Sequence, residues 1–272
     1  MKRMMSTMQM KIAGMIMLSG IVLASCDKDD DGYNNPQQPQ VVSNVLKASG
    51  DSNNILGTVD QFRNLLGATV NNTPGQTTGR REVNWDGVPV NFTNNNLFPL
   101  DFFNNTDPNG PVGRKRGLQY VNTGSPLRLD SSNFIEFGAD LANEFIPFSK
   151  KKTIISANST ISEIVFKLAG TTTDAFVKGF GIIFTDVDDA NSSSLEFFNG
   201  NKSLGVYKPS ARTTTGPYSF LGVYFPNEKI TRIKITAGNA VLGPGAIDVS
   251  DNGTKDLVSY DDVFYDEPKQ IQ

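Results

Sequence analysis

The sequence predicts an all-β fold, an antiparallel β-sandwich or jelly roll, with one short N-terminal helix and long irregular loops. Three observations support this prediction. Apolar and polar residues alternate in short segments of the C-terminal half, turn residues separate these segments, and only one segment has a clear helical pattern. With 38% hydrophobic residues, the 272-residue chain can bury the core of one large β domain.

The helix is predicted over residues 59–66. Thr58 and Gln61 have the spacing of a capping box, apolar residues follow on one face, and Gly67 is placed to end the helix. Residues 71–111 are dense in Asn, Pro and Gly, which favours turns and loops. Such a long irregular region is either functional or conceals strands that the pattern does not indicate.

Period-two patterns begin in the second half of the chain, where residues 161–168 alternate between apolar and polar positions. The other predicted strands are 175–184, 195–198, 204–207, 218–225, 230–236 and 257–265. Asn199-Gly200 is a strong hairpin signal between two of them, and residues 251–253 predict another tight turn.

The first 25 residues have the pattern of a secretory signal. A positively charged start precedes an apolar run over 12–23, which is short for a membrane span. Residues 23–26, Leu-Ala-Ser-Cys, resemble the bacterial lipobox. The resemblance implies cleavage before Cys26, lipidation of its thiol, and membrane anchoring through acyl chains such as palmitate.

Residues 26–50 are predicted to form a flexible acidic and Asn-Pro-Gln-rich tether. The acidic residues after Cys26 resemble the surface-export signal of Bacteroidetes-type lipoproteins, which implies an outer-membrane lipoprotein facing the exterior. A solubilising linker is the alternative interpretation. Residues 51–272 are then one sandwich domain, with a loop-rich part over 51–116.

Composition excludes several kinds of chemistry. The chain has no histidine and one cysteine, which excludes a Ser-His-Asp triad, histidine metal ligands, an internal disulfide and a cysteine-cluster metal site. With a net charge of −3, the chain also lacks the excess of basic residues that is typical of a nucleic-acid-binding protein. Carboxylates therefore remain the main candidates for site chemistry.

Oxygen-bearing side chains cluster after the segment 179–185, at Asp186, Asp188, Asp189 and Asn191. Carboxylates at such spacing can converge on a calcium ion, which takes six to eight oxygen ligands. The spacing departs from an EF-hand loop, and acidic turn residues that face water are the alternative interpretation.

Asp261 and Asp262 are further candidate metal ligands. They lie in a predicted strand, so we expect their side chains to point to opposite faces. A buried carboxylate at this position needs a cation or hydrogen bonds, and Arg80 or Arg81 is the candidate partner.

The segment Arg80, Arg81, Glu82, Trp85 and Asp86 is the most chemically varied in the chain. As a ligand site, the Trp85 ring would pack on a sugar and the charged groups would bind beside it. The structural alternative, which we favour, is that the single tryptophan anchors the loop region on the sandwich core.

Three segments resemble an uncharacterised family of secreted bacterial β-sandwich proteins. They are GRREVNWDGVP (79–89), GFGIIFTDVD (179–188) and SYDDVFYDEP (259–268), and residues 219–223 add to the resemblance. The last segment is similar to the closing strand of many jelly-roll adhesion and carbohydrate-binding modules. The resemblance, over roughly 58–268, implies a sandwich fold and an extracellular location, and no activity.

These observations predict a non-catalytic extracellular binding module, for a glycan, with calcium as a structural ion. One alternative is a structural or adhesive surface protein that binds protein partners. Another is a glycoside-active enzyme with two carboxylates, Glu82 or Asp86 together with Asp186, Asp188 or Glu196.

Overall fold

In the computed structural model, which describes residues 41–121 and 124–272, fifteen strands form two antiparallel sheets. The strands are β1 Asn44–Gly50, β2 Arg80–Val83, β3 Asn95–Phe98, β4 Leu118–Tyr120, β5 Leu127–Asp130, β6 Thr153–Ser156, β7 Ile161–Lys167, β8 Asp174–Phe176, β9 Gly179–Thr185, β10 Ser194–Asn199, β11 Lys202–Tyr207, β12 Tyr218–Tyr224, β13 Arg232–Thr236, β14 Ser259–Asp266 and β15 Lys269–Gln270. One α-helix, α1, spans Ser52–Leu66. Short 3-10 helices cover Val90–Phe92, Val112–Arg114, Asp140–Asn143 and Val249–Asp251. The predicted all-β sandwich with one short helix is confirmed.

The first sheet has eight strands in the order β1-β12-β9-β14-β6-β5-β3, and β2 also pairs with β14. The second sheet has the order β11-β10-β13-β7-β8-β15, and β4 also pairs with β7. The central strands β9 and β14 are buried along their whole length. Because both faces of β9 are covered, its sequence is a nearly continuous run of apolar or neutral residues rather than an alternating one, whereas β14 carries three buried aspartates, Asp261, Asp262 and Asp266.

Two cores account for this burial. The inner faces of the two sheets enclose the larger one, in which Phe180, Phe184 and Tyr265 are completely buried. The second core lies between α1 and the outer face of the first sheet, with Phe62 packed against Phe220. The first sheet is thus the middle layer of the domain.

The helix begins seven residues earlier than predicted. Its N-cap is Asp51, whose side chain accepts a hydrogen bond from the Asn54 amide at 2.8 Å while the Asn54 side chain accepts one from the Asp51 amide at 3.1 Å. This reciprocal cap uses Asn where the common pattern has Glu or Gln, so the sequence pattern pointed to Thr58 instead. The predicted end is confirmed, since Leu66 is the last helical residue and Gly67 follows.

Strand β1 corrects the predicted domain boundary. All seven of its residues, 44–50, pair with β12, with Asn44 opposite Tyr224 and Gly50 opposite Tyr218. The domain therefore starts before residue 51, and the tether predicted over 26–50 is too long. β1 lies at the edge of the sheet, where Leu46 and Ala48 pack against the core beneath α1 and Asn44 and Val45 are exposed.

The loop-rich part contains the strands that the pattern did not indicate. β2 and β3 are only four residues long, and the Asn, Pro and Gly residues around them mask any alternation. The strand predicted over 175–184 is wrong as a single element, because the chain forms β8 in the second sheet and then β9 in the first. The other predicted strands beyond residue 160 are found within a few residues of their expected bounds, and Asn199-Gly200 forms the turn between β10 and β11.

The signal, the lipobox and Cys26 lie outside the described residues. Within residues 41–121 and 124–272, the structure contains no helix that is long and apolar enough to cross a membrane.

Asp266, the last residue of β14, is a buried carboxylate whose titration should make the stability of the protein depend on pH. Its Oδ1 accepts hydrogen bonds from the amides of Lys178 at 2.7 Å and Gly179 at 2.8 Å, and burial raises its pKa to about 6 from 3.8. The folded state therefore binds this proton more tightly than the unfolded state does. The resulting stability is complete below pH ~4 and is lost as the pH rises through about 6.

We expect the native protein to lose about 2 kcal/mol of unfolding free energy relative to Asp266→Asn between pH 4 and pH 6.5. Urea denaturation of both proteins across this range measures the difference. A constant difference would show that Asp266 does not titrate in this way.

Candidate functional site

Five carboxylates meet at one end of the first sheet, where β9 ends and β12 and β14 begin. We call them the acidic cluster: Glu144, Asp186, Asp188, Asp248 and Asp256. They form two groups of three that share Asp248, and in each group one oxygen per residue lies within 4.8 Å of the others.

Asp186 is completely buried, as Asp248 is, and its carboxylate has the fewest hydrogen-bond partners in the cluster. It follows β9 directly and has a φ of 70°, a left-handed conformation that is uncommon for residues other than glycine. Its carboxylate is completely buried, and its Oδ1 lies 2.8 Å from Nε of Arg212. Its Oδ2 has no hydrogen-bond partner in the described residues. This unusual backbone therefore places an incompletely satisfied carboxylate inside the protein.

Asp188 shares the same arginine. Nε of Arg212 donates to its Oδ1 at 2.5 Å, while its Oδ2 is buried without a partner among the described residues. The backbone of Arg212 is also fixed here, because its amide donates to the carbonyl of Val187 at 2.6 Å. One guanidinium thus serves two carboxylates and leaves one oxygen of each available.

Backbone amides hold the next two members in place. Asp248 caps the short helix Val249–Asp251, and its two oxygens accept from the amides of Ser250 and Leu257, each at 2.7 Å. Asp256 accepts from the amides of residues 188 and 189, at 3.2 Å and 2.9 Å. These bonds lock the loops around the cluster.

Glu144 reaches the cluster from the end of the helix Asp140–Asn143. The hydroxyl of Ser250 donates to its Oε1 at 2.6 Å, and its Oε2 is buried without a partner among the described residues. Like Asp186 and Asp188, it therefore offers one free carboxylate oxygen.

The cluster contains more acidic than basic side chains. Burial raises the pKa of Asp186 to about 8, against the attraction of Arg212, and raises the pKa of Glu144 to about 7. Burial also raises the pKa values of Asp188 and Asp256. Five acids and one arginine in a partly buried site are an arrangement that a bound cation would neutralise.

The spacing suits calcium. With calcium–oxygen distances of 2.3–2.6 Å, two oxygens on opposite sides of the ion lie about 4.6–5.2 Å apart, and the groups in the cluster fall within this span. All candidate ligands are oxygens on loops, and calcium accepts irregular loop geometry more readily than magnesium does.

Only two of the six metal ligands predicted from the sequence belong to the cluster, Asp186 and Asp188. Asp189 is exposed, and its side chain accepts from the amide of Asn191 in a local turn, as the alternative interpretation expects. Glu144 and Asp248 were missed, since nothing in their local sequence relates them to residue 186. Asp256 was missed for the same reason.

Asp261 and Asp262 lie elsewhere, on the outer side of the first sheet, and the expectation of opposite faces is wrong. A β-bulge places Asp261 opposite Ile183 and Val263 opposite Ile182, so that Asp262 is the extra residue. The two carboxyls therefore share a side and a hydrogen bond, and burial raises the pKa of both. Neither belongs to a metal-binding group of the described residues.

Trp85 does not offer a surface to a ligand. Its side chain is completely buried in the main core, where its ring meets that of Tyr260 edge to face at a centroid distance of 6.0 Å. The prediction of Trp85 as a sugar platform is therefore wrong, and the structural interpretation holds.

Arg81 is likewise buried, which corrects its assignment as a ligand-binding residue and as a partner of Asp261 or Asp262. Its Nη2 lies 2.6 Å from Oε1 of Glu267, and both side chains are almost completely enclosed. Its guanidinium also donates to the carbonyls of Thr73 and Lys115. This ion pair joins β2, the end of β14 and two loops.

Arg80, Glu82 and Asp86 are partly exposed, but their charged groups already form ion pairs or hydrogen bonds within the protein. Glu82 accepts from Nε of Arg80 at 2.7 Å and from Nη2 of Arg63 at 3.0 Å. Asp86 accepts from the amide of Lys151 at 3.1 Å. These residues fasten β2 to the helix and a neighbouring loop.

The carboxylates that the sequence suggested for an enzyme lie on separate elements. Glu82 is on β2, Asp86 follows β2, and Glu196 is on β10 in the second sheet. None of them shares a hydrogen-bond or ion-pair partner with Asp186 or Asp188 in the described residues. The geometry favours a cation site over these catalytic pairs.

No model of a known protein family matches the chain, and no curated protein sequence matches it either.

Proposed function

We propose that the described domain is a non-catalytic binding module stabilised by one calcium ion in the acidic cluster. The observation that supports this proposal is the completely buried carboxylate of Asp186, whose Oδ2 has no partner among the described residues and which stands among four other acids. A group of this kind is costly to bury unless a cation neutralises it.

The free oxygens of Asp186, Asp188 and Glu144, together with Asp248, are the ligands that we assign to the ion. Asp256 holds the backbone of residues 188 and 189 and thereby positions Asp188. In this arrangement calcium joins the end of β9 to loops that precede β6 and β14. The ion would therefore order the loops at one end of the sandwich.

The ligand class that we propose is an extracellular glycan, with the module tethered to the outer membrane through a lipidated Cys26. The lipobox-like residues 23–26 and the acidic segment that follows them support the location. Concave surfaces beside the sandwich, of about 370 Å³ and 540 Å³, are large enough for small-molecule ligands and support a binding role.

Calcium is expected to raise the melting temperature of the protein. At a free concentration 100 times the Kd, a ligand of the native state contributes about 2.7 kcal/mol. For a domain of this size that corresponds to an increase of roughly 5–10 °C. Thermal unfolding in excess chelator and in millimolar calcium measures this shift.

Asp186→Asn is expected to remove most of the shift, because it replaces the central ligand. Without calcium this variant should be at least as stable as the native protein, since it removes one of five crowded carboxylates. Asp189→Asn is the matched control, with the same loss of charge three residues away and outside the cluster. The proposal would be contradicted if calcium did not change the melting temperature of the native protein. It would also be contradicted if calcium shifted the melting temperatures of Asp186→Asn and Asp189→Asn equally.

A further inference from the structure

A cavity of about 370 Å³ lies between the loop that follows β2 and the loops on either side of the helix Val112–Arg114. We call it the arginine cavity. The residues of its wall that matter here are Asn84, Val88, Phe102, Phe103, Arg114 and Arg116. It is separate from the acidic cluster, with which it shares no residue.

Arg114 lies over the ring of Phe102 in the wall. Its Cζ is 4.1 Å from the ring centroid, which is a cation–π contact. Among the described residues, no carboxylate or carbonyl accepts a hydrogen bond from this guanidinium. Its N–H groups are therefore available to a ligand.

Arg116 is held by carbonyl groups and not by a carboxylate. Its Nε donates to the carbonyl of Gly113 at 3.1 Å, and its Nη1 donates to the carbonyl of Glu82 at 3.0 Å. Burial lowers its pKa. The carboxylate of Glu82 is already bound by Arg63 and Arg80, so it does not neutralise Arg116 directly.

The wall of the arginine cavity has no acidic residue within the described ranges. Phe102, Phe103 and Val88 provide an apolar floor, and Asn84 adds an amide at the rim. Two guanidinium groups without a carboxylate partner, beside aromatic rings, match a compact ligand that has an anionic group and an apolar face.

We propose that the arginine cavity binds a uronic acid unit of an acidic glycan. This inference rests on the proposed binding function and specifies its ligand. The sugar carboxylate would accept hydrogen bonds from Arg114 and Arg116 in the planar geometry that guanidinium groups favour. The C–H face of the pyranose ring would lie against the small exposed parts of Phe102 and Phe103 beside Arg114, and the hydroxyl groups would face Asn84 and solvent.

The volume and shape favour a ring over an acidic peptide. A single concave site lined by two arginines suits one carboxylate on a compact ring. An acidic peptide would distribute its charges along an extended chain, and the wall contains no basic residue besides Arg114 and Arg116 to pair with them.

The test is isothermal titration calorimetry of the intact protein with trigalacturonate, in one calcium-containing buffer. The neutral methyl ester of the same trisaccharide and an acidic tripeptide serve as comparison ligands. We expect trigalacturonate alone to bind, and Arg114→Gln and Arg116→Gln each to weaken binding by about tenfold to a hundredfold. Raising the salt concentration should weaken binding as well.

Arg232→Gln is the matched control, because Arg232 also lies over a phenylalanine, Phe198 at 3.7 Å, but on the second sheet. Its affinity should equal that of the native protein. Equal binding of the methyl ester, or no effect of Arg114→Gln, would overturn the uronic acid assignment and leave glycan binding intact.

Binding of the tripeptide in place of the sugars would also overturn the inference. Failure of every sugar to bind would overturn both this inference and the proposed glycan ligand. The response of the melting temperature to calcium would still decide the calcium site separately.

Discussion

Replacing Trp85 with alanine is expected to lower the free energy of unfolding by about 3–5 kcal/mol. The side chain is completely buried and packs edge to face on Tyr260. Because this ring joins the loop after β2 to the inner face of β14, its removal leaves a large cavity in the main core. We therefore expect the substitution to lower stability, although the sequence analysis also considered Trp85 as a ligand-binding residue.

Urea denaturation followed by circular dichroism measures this loss, since the variant has no tryptophan fluorescence. Trp85→Phe, which keeps an aromatic ring, is the control and should lose clearly less. A Trp85→Ala protein that keeps its stability but no longer binds glycans would contradict the buried position.

Arg81→Met is expected to cost about 3–5 kcal/mol, because it leaves the buried carboxylate of Glu267 without its cation. The two groups are 2.6 Å apart and almost fully enclosed. Asn71 also donates to this carboxylate, at 2.7 Å, so that a second loop depends on the same group. We expect the loop over residues 71–79 to loosen together with the end of β14.

A double-mutant cycle distinguishes the ion pair from the packing. Arg81→Met with Glu267→Met should be more stable than the sum of the single variants implies, because no buried charge is left alone. Lys202→Met is the surface control, since the pair Lys202–Glu228 is exposed and should contribute at most about 1 kcal/mol. Equal losses for Arg81→Met and Lys202→Met would contradict a buried ion pair.

The sequence predicted the strands whose environment leaves a regular pattern. In β7 one face is buried and one is open, and residues 161–167 alternate accordingly. In β9 both faces are covered, by the second sheet and by α1, and the sequence is a continuous apolar run. Gly181 belongs to this run because a Cβ there would lie 2.7 Å from the ring of Phe62.

Elements whose stability comes from distant partners could not be predicted. β1 has a mixed sequence of polar and apolar residues, and it forms a strand because all seven of its residues pair with β12. The extra residue at Asp262 is also set by pairing with β9, which is why strict alternation gave the wrong face. Local propensity carries no information about either contact.

The same limit applies to the acidic cluster. Asp186 and Asp188 could be predicted because they follow a buried strand within three residues. Glu144, Asp248 and Asp256 come from two other loops. Only the fold brings their oxygens close to those of Asp186 and Asp188, in two groups whose atoms lie within 4.8 Å of one another. A single sequence contains no signal for this convergence.

Direct measurement of calcium binding is the most decisive test of the calcium-stabilised module. Isothermal titration of the calcium-free protein should give one bound ion per chain for the native protein and for Asp189→Asn. Asp186→Asn should bind at least tenfold more weakly, the equivalent of about 1.4 kcal/mol. Absence of saturable binding up to millimolar calcium, or equal affinity of Asp186→Asn and the native protein, would contradict the assignment of the acidic cluster.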